Sequence, residues 1–410
     1  MSTKKFYHSK DKPFIAIVGA GISGLTLANS LVKFGIQSCV LEKKDQWSEK
    51  GFGIQISPNS SRILKKIGIL DQLEDVWIEP KDFVFRSGFS LKELSRFSCS
   101  DYSRNNWGGA YGVVKRDTLH KILLSNLKTQ SLVKLHLSTN VTNPDFTKIS
   151  NIQNKKPDLI VGADGLNSNI RRYIDTQPII FSGSIALRCL ISQNDAPDFI
   201  DRHSVNVFFG SNSHLVTYPL REDNTINIVF ITDKNTLSDI SFLKQDKENK
   251  ISENKKWFLK NLKNWHKEII DLILKTNDTH IYPLFECICN LWHNNRDTVL
   301  IGDAAHTFLP LIAQGANMAV EDAYILSQLL STEKISKAIN TYQQIRSSRI
   351  KRIKRRNRLN QLFFHMNKPA SFFRNYFLRL EINKPLHKSL DWIYTYKTPG
   401  TSGCWRNRKR

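Results

Sequence analysis

One stretch near the start of this 410-residue chain constrains its fold more than any other. The apolar run Phe14-Ile-Ala-Ile-Val18 leads straight into Gly19-Ala20-Gly21-Ile-Ser-Gly24, and a helical pattern of Leu25, Leu27, Ala28, Leu31 and Val32 follows. A second apolar run, Cys39-Val40-Leu41, ends on Glu42 and Lys43. Short apolar runs bounded by turns read as strands buried on both faces, as in a parallel sheet. Strand, glycine-rich turn, helix and strand together make a βαβ unit with a dinucleotide fingerprint. Gly19 permits the tight turn, Gly21 lets the backbone approach a pyrophosphate, and Gly24 lets helix and strand pack closely. The phosphates then face the helix N-terminus, whose free N–H groups and dipole favour an anion. Glu42 follows Gly24 by 18 residues and is placed to accept hydrogen bonds from a ribose. This context specifies a dinucleotide and leaves NAD and FAD both open.

Two later segments also deliver an acid at the carboxyl end of a buried strand, where open α/β sheets bind ligands. Asp158-Leu-Ile-Val-Gly-Ala-Asp164-Gly165 is followed by Asn167, Ser168, Arg171 and Arg172. Thr298-Val-Leu-Ile-Gly302-Asp303-Ala-Ala-His306 is followed by Pro310, Gln314-Gly315-Ala316-Asn317 and Glu321-Asp322. Between them, apolar and polar residues alternate around Val205, Val207 and Phe209, then Leu215, Val216 and Tyr218, then Ile226, Ile228 and Phe230. That alternation predicts antiparallel strands with one wet face. From Ser331 onward the pattern is mostly helical. The expected fold class is α/β: a Rossmann-like nucleotide-binding domain, interrupted by a β-rich domain, with a helical C-terminal segment. Residues 1–175 form the first part of the nucleotide-binding domain, with inserted strands near 80–115. Residues 176–282 form the β-rich domain, 283–345 the second part of the first domain, and 346–410 the basic helical segment.

Charge singles out that last segment. The formal net charge is +23, and residues 346–410 hold 18 Lys and Arg against Glu381 and Asp391, so 16 of the excess charges lie there. Arg346, Arg349, Lys351, Arg352, Lys354, Arg355, Arg356 and Arg358 crowd one expected helix, and Leu362, Phe363, Phe364, Phe372, Phe373, Tyr376 and Phe377 follow. The favoured reading is a solvated helix face, with the aromatics packed on the nucleotide-binding domain. The other is peripheral contact of residues 346–380 with an anionic membrane, where each Lys or Arg contributes about 1 kcal/mol. The spacing of Ile345, Ile350, Ile353 and Leu359 is irregular, which speaks against a clean amphipathic helix. No nucleic-acid motif accompanies the charge, so no nucleic-acid partner is expected. No apolar stretch reaches the roughly 18 residues of a membrane span, and the polar, basic N-terminus does not read as a secretory signal. Six cysteines, at 39, 99, 189, 287, 289 and 404, form no CxxC pair. They read as buried or idle thiols in a reducing cytoplasm, and no metal is expected. The expected location is cytoplasmic, with peripheral attachment to the inner face of the membrane left open.

In this order and spacing the three motifs resemble those of the class A flavoprotein aromatic hydroxylases, which share the p-hydroxybenzoate hydroxylase fold. The likeness runs from about Phe14 to Tyr396 and is strongest to the salicylate-hydroxylase-like branch. Its marks are Gly51-Phe-Gly53-Ile-Gln-Ile-Ser-Pro-Asn59, Lys115-Arg116-Asp-Thr-Leu119, His214-Leu-Val-Thr-Tyr218-Pro219, Ala313-Gln-Gly-Ala-Asn317 and Leu390-Asp-Trp-Ile-Tyr394. The resemblance implies that Gly19, Ala20, Gly21 and Gly24, with Glu42 and Lys43, hold the ADP half of FAD. It implies that Asp164 and Gly165 serve FAD and NAD(P)H together, and that Gly302 and Asp303 hold the ribityl chain. Arg116 resembles the family arginine that contacts FAD, and Gly53 falls where a loop passes the flavin. The helix opening at Gly315, Ala316 and Asn317 would meet negative charge developing on the flavin ring. Two departures stand out: Thr307 follows His306 where many relatives have proline, and Leu187-Arg188-Cys189 stands where the branch often has Trp-Arg-Gly. The second lies in the expected substrate domain, so it leaves substrate identity open.

His214 and Tyr218 are four apart on an expected strand, which puts both side chains on one face. In relatives that face looks toward the substrate. A histidine there suits removal of a phenol proton near neutral pH; a merely packed histidine is the alternative. Arg188 faces either a substrate carboxylate or solvent, and His306 is assigned to the turn after Asp303. The resemblance implies hydroxylation of a small phenolic or aromatic-acid substrate, with NADH or NADPH and O2, through a flavin hydroperoxide. The absence of a second Rossmann fingerprint fits transient nicotinamide binding. Two rivals stay open. One is a hydroxylase of ubiquinone biosynthesis acting on a prenylated ring at the membrane. The other is a non-hydroxylating flavoprotein recruited by its basic tail.

Overall fold

A computed structural model of the chain describes residues 12–47, 51–233, 264–276, 279–380 and 384–398, together with Leu259 and Leu262. Most of the N-terminal segment, Cys404 and the basic residues 406–410 lie outside the described residues. The apolar runs singled out above become a five-stranded parallel sheet. Its order is β14 (Thr298–Leu300), β8 (Leu159–Gly162), β1 (Ile15–Val18), β2 (Ser38–Leu41) and β7 (Val133–His136). All residues of β1, β2, β8 and β14 are buried, as a sheet covered on both faces requires. Val18 is level with both Leu41 and Gly162, and Gly162 with Leu300, so four strands end together. Every motif turn therefore leaves the sheet at one edge.

The second sheet has eight strands. Its order is β15 (His306–Thr307), β13 (Thr279–Ile288), β9 (Ile180–Ser192), β12 (Thr225–Asp233), β11 (Ser213–Leu220), β10 (Val205–Phe209), β4 (Asp82–Ser87) and β5 (Glu93–Ser98). All neighbours are antiparallel except β10 and β4. The expected wet face is corrected here. The helix Lys267–Lys275 and Trp265 cover Leu187, Phe208, Leu215, Ile228 and Phe230 on the outer side, so β10 is buried at every position. The opposite side of β10 and β11, with Val205, Val207, Phe209 and Tyr218, joins the main core. A two-stranded ribbon of β3 (Gly53–Ile56) and β6 (Gly112–Lys115) meets β11 through β6 and the helix Gly315–Leu330 through β3.

The helix Gly315–Leu330 is buried along nearly its whole length, and the helix Ile335–Phe364 lies against it. The long helix corrects two expectations. Its inward stripe is Ile339, Tyr342, Arg346, Arg349, Ile350, Ile353, Asn357 and Phe364, regular at three- and four-residue steps once the arginines are counted. Arg346 and Arg349 are therefore core residues, whereas Lys351, Arg352, Arg355 and Arg358 are exposed. The aromatics also divide. Phe364 is buried and Phe363 partly so, but on the helix Ala370–Arg379 the inner face is Ser371, Arg374 and Leu378, and Phe372, Phe373, Tyr376 and Phe377 point outward. Cys39, Cys99, Cys189, Cys287 and Cys289 are buried free thiols. Among the described residues no helix is long and apolar enough to cross a membrane.

Candidate active site

The common strand edge gathers the three motif turns into one groove. Gly19 has φ +102°, and a Cβ there would stand 2.6 Å from Ala163 O, in the second motif. A Cβ on Gly24 would stand 2.0 Å from Gly19 O, so only glycine lets the helix Ile22–Lys33 start this close to its strand. Gly21 and Gly315 differ: nothing lies within 4 Å of a Cβ on either, so each leaves room for a ligand at a helix N-terminus. Glu42 accepts from Ala20 N at 2.9 Å and from Lys44 N at 3.1 Å, which fixes its carboxylate beside the turn. Lys43 is exposed. His120 Nε2 lies 2.8 Å from Ala20 O and braces the same turn from the helix Arg116–Lys128.

The other motif residues serve this groove in different ways. Asp164 accepts from Ser168 Oγ at 2.5 Å and Asn169 N at 2.8 Å, so its carboxylate shapes its own turn, with Gly165 at φ +79°. Buried Arg171 ties that turn to the third motif through Leu166 O at 2.5 Å and Ala304 O at 3.3 Å. Gly302 has φ +58° and sits against Ser23 of the first motif. Asp303 opens onto the groove. Desolvation by the surrounding protein raises its carboxyl above the usual range, opposed by the neighbouring His306 and Arg116. Arg116 is itself exposed, and its N–H donates to Phe52 O at 3.0 Å beside Gly53. Asn317 is a brace: its side chain donates to Gln55 O and Ala313 O and accepts from Ser57 N at 3.0 Å.

A buried ion network that spacing did not reveal stands behind Gly302. Asp322 Oδ2 accepts from Gly302 N at 2.9 Å and lies 2.6 Å from His306 Nε2, while its Oδ1 accepts from Arg346 Nε at 2.6 Å. Glu321 pairs with Arg346, accepts twice from Arg349 at 2.7 Å, and accepts from Asn59 Nδ2 at 2.7 Å. Burial opposes ionisation of Asp322, but His306 and Arg346 outweigh it and hold the carboxyl at about 2. The network anchors the third motif to the long helix.

On the other side of the groove the eight-stranded sheet presents His214, Val216 and Tyr218 from β11, opposite Ile231, Val229 and Asn227 of β12. Arg188 and Ala186 follow on β9, paired with Val229 and Ile231. The contact between this face and the nucleotide side is tight. Gly53 N donates to Asn227 Oδ1 at 2.8 Å, and a Cβ on Gly53 would stand 2.5 Å from the Tyr218 ring. Burial pushes the Tyr218 phenol up, against the opposing effects of Arg188, Gln55 and Asn227. His214 is 1% exposed. Burial, with His365 beside it, pushes its imidazole well below the usual range, so the ring is neutral at neutral pH.

Residues 13–357 match the family described as FAD binding domain. The 3-amino-4-hydroxybenzoate 2-monooxygenase of Streptomyces platensis is 29% identical over 95% of this chain and 97% of its own length. The 3-hydroxybenzoate 6-hydroxylase 1 of Aquipseudomonas alcaligenes is 27% identical over 94% and 98%. Among solved structures, HpxO of Klebsiella pneumoniae complexed with FAD and uric acid superimposes with a TM-score of 0.76 at 19% identity, covering 93% of this chain and 96% of that one.

Proposed function

The chain belongs to the FAD-binding-domain family and is an FAD- and NAD(P)H-dependent monooxygenase, and from that premise we propose that it hydroxylates a small aromatic acid carrying a ring hydroxyl. The observation that carries the reading is the tight contact of Tyr218 and Asn227 with Gly53, which sets the inner face of the second sheet directly against the nucleotide groove. The groove fits FAD: Gly21 and Gly315 leave room at two helix N-termini, and Glu42 and Asp303 stand at the ends of β2 and β14. In this reading Gly19, Ala20, Gly21 and Gly24 receive the pyrophosphate and Glu42, beside Lys43, the ribose. Gly302 and Asp303 receive the ribityl chain. The N–H groups opening the helix at Gly315, Ala316 and Asn317 face the ring. Arg116, Gly53, Asp164 and Gly165 border the site. Bound FAD supplies electron transfer from NAD(P)H and the activation of O2.

The rest falls to this chain's own side chains. We assign the eight-stranded sheet as the substrate layer. His214, neutral at neutral pH, takes the phenolic proton and so raises the electron density of the ring. Tyr218 orients the ring hydroxyl, and Arg188, which makes no ion pair among the described residues, receives the carboxylate. Phe209, Val216, Ile231 and Leu309 keep this layer apolar and dry. The reported relatives are named for small aromatic acids, which favours a small ring over a prenylated one. The purified protein should be yellow, and NADH or NADPH oxidation should rise with 3-hydroxybenzoate or 3-amino-4-hydroxybenzoate, with hydroxylated product formed. A colourless protein that FAD does not reconstitute would overturn this reading.

A second reading concerns location. The outward face of the helix Ala370–Arg379 exposes Phe372 by 70% and Phe373 by 68%, with Tyr376, Phe377, Leu359 and Leu362 also exposed. Lys351, Arg355 and Arg358 of the long helix, Lys368 of the connection and Arg379 are exposed as well. Exposed apolar side chains together with exposed cations on the same two helices match an anionic lipid surface, at about 1 kcal/mol for each Lys or Arg. We propose reversible peripheral attachment there. Sedimentation with phosphatidylglycerol vesicles should be salt-sensitive and lost in Phe372→Glu/Phe377→Glu; equal sedimentation of both proteins would refute it, as would concentration-dependent self-association in its place.

A further inference from the structure

The hydrogen bonding of His214 continues beyond its own strand. Its Nδ1 lies 2.8 Å from Nε2 of His365, the residue that closes the helix Ile335–Phe364, and His365 Nδ1 lies 2.5 Å from Oδ2 of Asp233 at the end of β12. Asp233 Oδ1 accepts from Ser184 Oγ at 2.7 Å and from Gln361 Nε2 at 3.0 Å. Both imidazoles are buried, whereas the Asp233 side chain is 27% exposed. The chain of groups thus leads from the inner face of the substrate layer to a partly exposed carboxylate.

Asp233 sets the direction of this chain. Its burial opposes ionisation, but His365, Ser184 and Gln361 outweigh that and keep the carboxyl below the usual range. A carboxylate has no proton to give, so His365 donates from Nδ1. In the neutral form of His365, which the relay uses, donation from Nδ1 leaves Nε2 as the acceptor. His214 must then donate from its own Nδ1, which leaves its Nε2 as a lone pair. That nitrogen has no hydrogen-bond partner among the described residues. The groups facing the triad are Ser184 from β9, Gln361 from the long helix, and the rings of Phe209 and Phe364. The helix Ala370–Arg379 contributes Arg374, stacked over Phe209 at 4.6 Å and lowered by burial to about 10.

We infer that His365 and Asp233 form a proton relay behind His214, holding its Nε2 as the acceptor and carrying the phenolic proton of the substrate to the protein surface. The inference rests on the hydroxylation proposed above. The phenol O–H bond breaks as N–H forms on His214 Nε2. The Nδ1 proton of His214 moves to His365 Nε2, and the Nδ1 proton of His365 moves to Asp233, which releases one proton to water. No electron is exchanged, and the same path in reverse reprotonates the product. His365 and Asp233 are positioning residues in this scheme, because neither touches the substrate. A buried carboxylate that fixes an imidazole tautomer can govern a rate by orders of magnitude.

The test uses holoenzyme with 3-hydroxybenzoate and 3-amino-4-hydroxybenzoate as probes, in Asp233→Asn and His365→Gln. Both variants should keep the flavin spectrum and KM, and lose at least 10-fold in kcat at pH 7. The loss should shrink as the pH approaches the phenol's own pKa. In 15N-histidine-labelled wild type, His214 should carry its proton on Nδ1, and in Asp233→Asn the two tautomers should mix. Wild-type pH profiles in both variants, or a wild-type His214 protonated on Nε2, would overturn the relay. Should the two variants fail to fold, Gln361→Met removes the donor shared by Asp233 and Ser184 while leaving both imidazoles in place, and should move the acid limb of the profile upward; an unmoved limb counts against the relay. Should wild type hydroxylate neither probe, the proposed reaction fails, and the tautomer measurement still judges the relay by itself.

Discussion

Arg346 offers the sharpest test of the architecture. Its guanidinium is fully buried between Glu321 and Asp322, and Asp322 in turn holds Gly302 N. Arg346→Leu keeps the volume apolar and removes the one cation shared by both buried carboxylates, leaving Glu321 with Arg349 and Asp322 with His306. Removing one partner of a buried ion pair costs about 3–5 kcal/mol, because the remaining charge stays buried without compensation. Unfolding entropy of roughly 2.1 cal/mol/K per residue converts that into a melting-temperature drop of about 4–6 °C for a chain of this size. The sign of the pH effect follows from Asp322. Its folded pKa of about 2 lies below its unfolded value near 4, so its contribution is complete above about pH 4 and disappears as pH falls toward 2. Without Arg346 that acid limb should flatten. Differential scanning fluorimetry of apo-protein, from pH 3 to 7, measures both effects. The companion variant Arg346→Leu/Asp322→Asn removes one stranded charge and should recover part of the loss. A single variant within 1 °C of wild type at pH 7 would refute the reasoning.

Gly24→Ala should destabilise the apo-protein, since its Cβ would meet Gly19 O at 2.0 Å, whereas Gly21→Ala should leave apo stability unchanged and weaken FAD binding; thermal melts with and without FAD separate the two. His214→Asn should retain the flavin spectrum and lower phenol hydroxylation by about 10²–10⁴ at neutral pH, read as product formed per NAD(P)H consumed. Asp303→Ala should raise the FAD dissociation constant at least tenfold by flavin-fluorescence titration, with little change in the far-ultraviolet circular dichroism.

The nucleotide groove was legible because its signals are local. A strand, a turn that only glycine can make and an acid at a strand end follow one another in sequence, as in Gly19 to Gly24 and in Gly302-Asp303. Long-range pairings were not. His214 meets His365 across 151 positions, and His365 meets Asp233 across 132, with no spacing rule to join them. In sequence, Arg346 and Arg349 read as solvated charge, because a run of cations is usually a helix face in water. The signal that could have reversed it is their place in the stripe with Tyr342, Ile350 and Ile353, together with the adjacent acids Glu321 and Asp322. The alternation in β10 to β12 correctly suggested antiparallel strands. It could not announce that a helix from residues 267–275 would cover their outer side.

The central claim is that this chain puts one atom of O2 into a small phenolic acid. Incubating the FAD-loaded protein with NADH or NADPH, 18O2 and 3-hydroxybenzoate or 3-amino-4-hydroxybenzoate, followed by mass spectrometry of the products, tests it directly. The account predicts a product 18 mass units heavier than the substrate, one 18O inserted into a ring C–H bond, formed in step with NAD(P)H oxidation. Nicotinamide oxidised only to yield labelled hydrogen peroxide, with no labelled ring across a panel of hydroxybenzoates and hydroxypyridine acids, would contradict it.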